Sequence, residues 1–249
     1  MKKIALFIPC FIDTIYPNVA KSTYKFLQSY GYTVEYPINQ SCCGQPYANS
    51  GLIDTTKEFA NNFLDTFSGY DYIVAPSASC VAMVKHRYRD ILPPSEKLTK
   101  VENSIFEFTE FVHDIIKPSY IEAKFNAKVG LHQSCHGLRE LNLATPSEFT
   151  TKKIASKAKA LLEMVEGLEI VELQRADECC GFGGTFSINE SDISIAMGKD
   201  RLNDHLSAGA DYIVGYDNSC LMHLEGIAKA QKKDIKMLHI SEVLLGESL

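Results

Sequence analysis

The strongest constraint on this chain is a cysteine pattern that occurs twice. Cys42-Cys43-Gly44 returns as Cys179-Cys180-Gly181, with Cys10 before and Cys80 after the first copy, and Cys135 before and Cys220 after the second. The pattern uses all eight cysteines. Each copy reaches its last cysteine through a Ser-Cys pair, Ser79-Cys80 and Ser219-Cys220, shortly after an apolar run. Such a repeat describes two halves of one plan, and each half is expected to bring its four thiols to a site of its own.

Composition narrows what those thiols do. A chain of 249 residues, 45% hydrophobic and 22% charged, can bury its core without disulfides. Its net charge of −6 argues against a nucleic-acid surface, which needs a basic stripe. The run after Met1-Lys2-Lys3 is short and cut by Pro9, unlike a secretory leader. No apolar run approaches the roughly 20 residues of a membrane span. We therefore expect a cytoplasmic chain, where thiols stay reduced and patterned cysteines serve metal or redox chemistry.

The apolar patterning predicts where the cysteines stand. In the first half, strands are expected over 4–9, 33–36 and 72–75, and helices over 18–30 and 54–67. A loop over 37–50 carries Cys42 and Cys43, and Cys80 opens the next helix. The second half repeats this with strands over 128–132, 169–173 and 212–214 and helices over 148–165 and 192–208. Continuous rather than alternating apolar strands imply parallel sheets covered on both faces. Short apolar helices over 108–112 and 240–244 close the halves, and Pro118 marks the joint. The expected fold is α/β: two pseudo-repeated halves, 1–120 and 121–249, each a small, mostly parallel sheet flanked by helices, with sites at the carboxyl ends of strands.

Four converging thiolates select soft metals, either zinc or an iron–sulfur cluster. Structural zinc sites favour a Cys-x-x-Cys knuckle, which neither half has. Adjacent cysteines diverge and suit a larger object gripped at separated irons. A cluster leads on this reading, with zinc in one half and a metal-free thiol role as the alternatives.

These residues resemble the duplicated cysteine-rich CCG domain found in heterodisulfide reductase and in the iron–sulfur subunits of glycolate and glycerol-3-phosphate oxidases. Ser41-Cys42-Cys43-Gly44-Gln45-Pro46, Cys179-Cys180-Gly181-Phe182-Gly183-Gly184-Thr185-Phe186 and Ser219-Cys220-Leu221-Met222-His223-Leu224 are similar to the lactate utilization branch of that family. The resemblance implies one or two iron–sulfur clusters per chain, of [4Fe–4S] type. It implies an electron-transfer subunit of an L-lactate-oxidising complex, an oxidoreductase component not catalytically sufficient alone. Its implied partners are a ferredoxin-like iron–sulfur subunit and a third lactate utilization protein. A heterodisulfide-reductase-like thiol–disulfide subunit and a non-enzymatic zinc-stabilised interaction module are the alternatives.

The chain departs from the reductase at one point. There the last element is Cys-x-x-Cys, and five thiolates hold a noncubane cluster; here Ser77 and Asp217 replace the first cysteine of that pair. Four thiolates suffice for a cubane, with Ser77 and Asp217 as candidate oxygen ligands or helix N-caps. The Gly181-Phe182-Gly183-Gly184 stretch lacks a nucleotide fingerprint and reads as room for backbone to approach a cluster. His132 and His136, on either side of Cys135, and His223, after Cys220, are read as hydrogen-bonding or surface residues rather than ligands. Phe106, Phe108 and Phe111 are read as core or as a contact between halves.

Overall fold

The computed structural model describes residues 3–149 and 154–246. The chain divides into two compact units, 1–116 and 117–249. The first holds strands β1 (Ile4–Leu6), β2 (Val34–Glu35), β3 (Tyr72–Ala75) and β4 (Ile105–Glu107) in the order β2-β1-β3-β4. The second holds β5 (Lys124–His132), β6 (Glu166–Ile170), β7 (Tyr212–Gly215) and β8 (Lys236–His239) in the order β6-β5-β7-β8. Every pairing in both sheets is parallel. In this order the connections reverse direction between the first and third strands of each half, which opens a crevice at their carboxyl ends.

Local chemistry places the helices. The Pro17–Ser29 helix starts on a proline that costs no hydrogen bond in a first turn, buries Val19, Thr23, Phe26 and Leu27, and is followed by Gly31 at φ +79°. The Ile53–Phe67 helix buries Thr56, Ala60, Phe63, Leu64 and Phe67. In the second unit the Ser191–Ser207 helix buries Ser194, Gly198, Arg201, Leu202, Asp204 and His205. Asp204 apart, the two buried stripes have the same spacing, yet the second is largely polar.

The first core is aromatic. Phe7 meets Phe63 and Phe67 at ring-centroid distances of 4.8 and 5.6 Å, and Phe26 meets Phe108 at 5.3 Å. Phe106, Phe108 and Phe111 belong to this core: Phe108 and Phe111 are fully buried and Phe106 stands edge-on to Phe111. The second core rests on aliphatic residues, among them Leu202, Ile213, Leu221 and Leu224.

Several elements differ from the sequence expectation. β4 and β8 are additional strands, each directly before the closing helix of its half; three or four residues are too few to display a period. The loop over 37–50 contains a helix, Gln45–Asn49, because Pro46 suits a first helical turn instead of breaking one. The helix expected over 148–165 is Lys157–Leu162 in its described part, capped by Ser156, whose hydroxyl accepts from the Lys159 N–H; residues 150–153 lie outside the described residues. The strand expected over 169–173 begins and ends earlier, as β6. Gly167 at φ +80° falls within β6, opposite a register irregularity between Lys124 and Ala127, so its glycine reads as a breaker. No helix among the described residues is long and apolar enough to cross a membrane.

Candidate metal centres

The first set of cysteines gathers around the carboxyl ends of β1 and β3. Cys10 opens the Cys10–Ile15 helix just past β1, and Cys80 lies in the Ala78–Ala82 helix just past β3. Cys42 and Cys43 approach on the loop after β2, which is tied to β1 by the Gln40 amide: its Oε1 accepts from the Ile8 N–H at 2.8 Å and its Nε2 donates to the Leu6 carbonyl at 3.3 Å. Gly44 turns the chain at φ +84°, a conformation open to glycine.

Neighbouring sulfurs interact electrostatically in the order Cys10, Cys42, Cys43, Cys80. Cys42 is lowered to about 3 because the thiols of Cys10 and Cys43 bond to it, helped by the Gly44 N–H at 3.4 Å. The same bonds, with burial, push Cys10 and Cys43 up. These interactions favour negative charge on Cys42, and a thiolate is the species that binds metal.

The second half repeats the arrangement. Cys135 follows β5, Cys179 and Cys180 lie on the loop after β6, and Cys220 sits in the Asn218–Ala230 helix after β7. The order there is Cys135, Cys179, Cys180, Cys220. Cys179 is lowered to about 2 by its bonds with Cys135 and Cys180 and by the Gly181 N–H at 3.3 Å. Cys220 bonds to Cys180, which pulls it down, but burial and Asp217 carry it up.

Ser77 and Asp217 stand at helix N-caps. Ser77 Oγ accepts from the Cys80 N–H at 3.4 Å and shares a 3.3 Å bond with Ser79. Asp217 Oδ1 accepts from the Ser219 hydroxyl at 2.8 Å and the Ser219 N–H at 3.4 Å. His136 Nδ1 lies 3.7 Å from Cys135 Sγ, while His223 Nε2 reaches the Ser194 carbonyl at 3.2 Å.

The second site also gathers residues that its cysteine pattern does not announce. His132, Cys180 and Cys220 are buried, and their ligand atoms all lie within 4.8 Å of one another. Arg201, fully buried, donates through Nε to His132 Nδ1 at 3.1 Å and through Nη1 to Asp204 Oδ2 at 3.0 Å. Its Nη1 and Nη2 also reach the carbonyls of Arg175 and Ala176, and Asp204 accepts the Gln174 and Arg175 N–H groups. This ion pair anchors the loop leading to Cys179, as Gln40 anchors its counterpart in the first half. Burial, with the Arg201 cation alongside, lowers His132 to about 3 and keeps its ring neutral.

A family model described as a cysteine-rich domain, CCG, matches residues 4–85 and again 129–225. The chain belongs to the CCG cysteine-rich domain family. Lactate utilization protein A of Halalkalibacterium halodurans is 39% identical over 97% of this CCG chain and 96% of its own length. The protein of the same name from Exiguobacterium sp. is 38% identical over 98% and 97%. That from Bacillus thuringiensis is 35% identical over 99% and 100%. A hypothetical protein from Helicobacter pylori shares the fold at a TM-score of 0.61 and 13% identity, over all of this chain and 49% of its own. Both CCG copies thus embrace a complete cysteine set, and such a soft donor set fits a thiolate-held metal centre.

Proposed function

We propose that this chain is the iron–sulfur electron-transfer subunit of an L-lactate-oxidising complex. The observation that carries this reading is the placement of four cysteines in each half on the segments that follow the strands of one parallel sheet. Relatives of matching length named for lactate utilization support lactate as the substrate. Cys10, Cys42, Cys43 and Cys80 would hold one [4Fe–4S] cluster, and Cys135, Cys179, Cys180 and Cys220 a second. Such a group supplies one-electron storage when bound. The chain's own part is to present deprotonated sulfur, to bury the inner ligands Cys43, Cys80, Cys180 and Cys220 away from water, and to leave Cys10 exposed at the rim. The proposed partners are a ferredoxin-like iron–sulfur subunit and a third lactate utilization protein, within the cytoplasm.

Anaerobic purification followed by iron, acid-labile sulfide and zinc analysis tests this. The expected result is iron and sulfide in equal amounts, with iron falling by half in Cys42→Ser and likewise by half in Cys180→Ser. Zinc in place of iron, or no metal after anaerobic reconstitution, overturns the cluster reading. Co-purification with the other lactate utilization proteins, and loss of lactate-dependent dye reduction without this chain, test its place in the complex.

A further inference from the structure

The two halves differ at one buried position beside their sulfurs. Leu6 pairs with Val74 and Leu131 with Val214, so Phe7 and His132, the next residue in each case, occupy equivalent places. Phe7 packs against Phe63 and Phe67, whereas His132 meets Arg201 and His205, the residues at the corresponding positions of the Ser191–Ser207 helix. An aromatic triad in one half is a cationic and imidazole triad in the other. The backbone accommodates the change: where the first half has Ala5, the second has Gly130, and a Cβ there would lie 2.1 Å from His205 Nδ1.

Arg201 decides which nitrogen of His132 carries the proton. A guanidinium only donates, so the Nε–H···Nδ1 bond requires a lone pair on Nδ1. The single N–H of the neutral ring then sits on Nε2. That atom is buried without a hydrogen-bond partner among the described residues, on a ring whose ligand atom lies within 4.8 Å of the Cys180 and Cys220 sulfurs. We infer that His132 is an N–H donor to the sulfur ligands of the second centre, locked in that tautomer by Arg201, and that it makes the two centres unequal. The inference rests on the cluster reading above. An N–H donor to ligand sulfur stabilises the extra negative charge of the reduced state and raises the reduction potential. Phe7 offers no such donor, so the second centre is the one that accepts an electron first.

Redox titration of the anaerobic protein, followed by electron paramagnetic resonance, tests this. Wild type is expected to show two midpoint potentials. His132→Phe and His132→Leu should lower the upper one towards the other and leave iron content unchanged. His132→Gln, which keeps an N–H donor, should fall between wild type and the apolar variants. Loaded variants with unmoved potentials overturn the role of His132 while sparing the cluster reading. Loss of half the iron in all three variants makes His132 a ligand and overturns the donor assignment. A wild type without iron fails at the earlier step and removes both.

Discussion

Tyr88 donates its phenolic proton to the Cys43 carbonyl at 2.9 Å from a fully buried position. The bond ties the middle of the adjacent-cysteine turn to the helical segment that follows Cys80. Tyr88→Phe keeps the ring's edge contact with Phe63 but strands a buried carbonyl. The expected loss is about 1–3 kcal/mol in denaturant unfolding of the first half. An unchanged midpoint would show that the carbonyl finds another partner.

Gly44 and Gly181 hold the same place with unequal room. Both have positive φ, +84° and +88°. A Cβ on Gly44 would meet Phe59 and Thr56 side chains at 3.3 Å, whereas one on Gly181 would meet the Ser194 carbonyl at 2.6 Å and Met197 Cβ at 2.7 Å. Gly44→Ala should cost about 1–2 kcal/mol from backbone strain, and Gly181→Ala roughly 2–5 kcal/mol once overpacking is added. Thermal melts of the two variants should rank in that order.

Asp217 and Ser77 are expected to act through their helices. Asp217→Ala and Ser77→Ala each remove a side-chain cap and should cost about 1 kcal/mol, with iron content and cluster spectrum retained. A variant that keeps its melting temperature but loses iron would instead make that oxygen a ligand.

Glu107 introduces a pH dependence. It ends β4, and its Oε2 accepts from the Thr109 and Glu110 N–H groups at 2.7 and 3.2 Å, while its Oε1 is buried without a partner among the described residues. Burial pushes this carboxyl well above its ordinary 4.5, with the Glu110 carboxylate adding to the rise. Above the ordinary value the unfolded chain has released this proton while the folded chain retains it. Stability from this group is therefore full at acid pH, falls as pH rises past 4.5, and levels off beyond the raised folded value. Glu107→Gln should flatten that slope in unfolding measured across the range; an identical slope would assign it to other groups.

The long strands and helices were readable because their chemistry repeats over enough residues. β3 spans the expected 72–75, and the Ile53–Phe67 helix begins one residue before its expected start. The cysteines fell at strand ends because the duplication supports each assignment with a second. Arg201 and His205 escape such reading, since charged and imidazole groups on an amphipathic helix are ordinarily assigned to the solvent face. The available signal lay in the comparison of copies: an arginine and a histidine set against Phe63 and Phe67. His132 is visible beside Cys135, but its donor role depends on Arg201, a neighbour far away in sequence. β4 and β8 stayed hidden because three or four residues carry no readable alternation.

All four sulfurs of each set come from within one unit. A splice at the joint near residue 117 therefore separates no two members of a set, whereas one between Cys43 and Cys80 divides the first set. The heritable module is the half. A gene split or fused at that joint keeps each ligand set whole, and the two sets stand beside different buried neighbours, Phe7 in one half and His132 in the other.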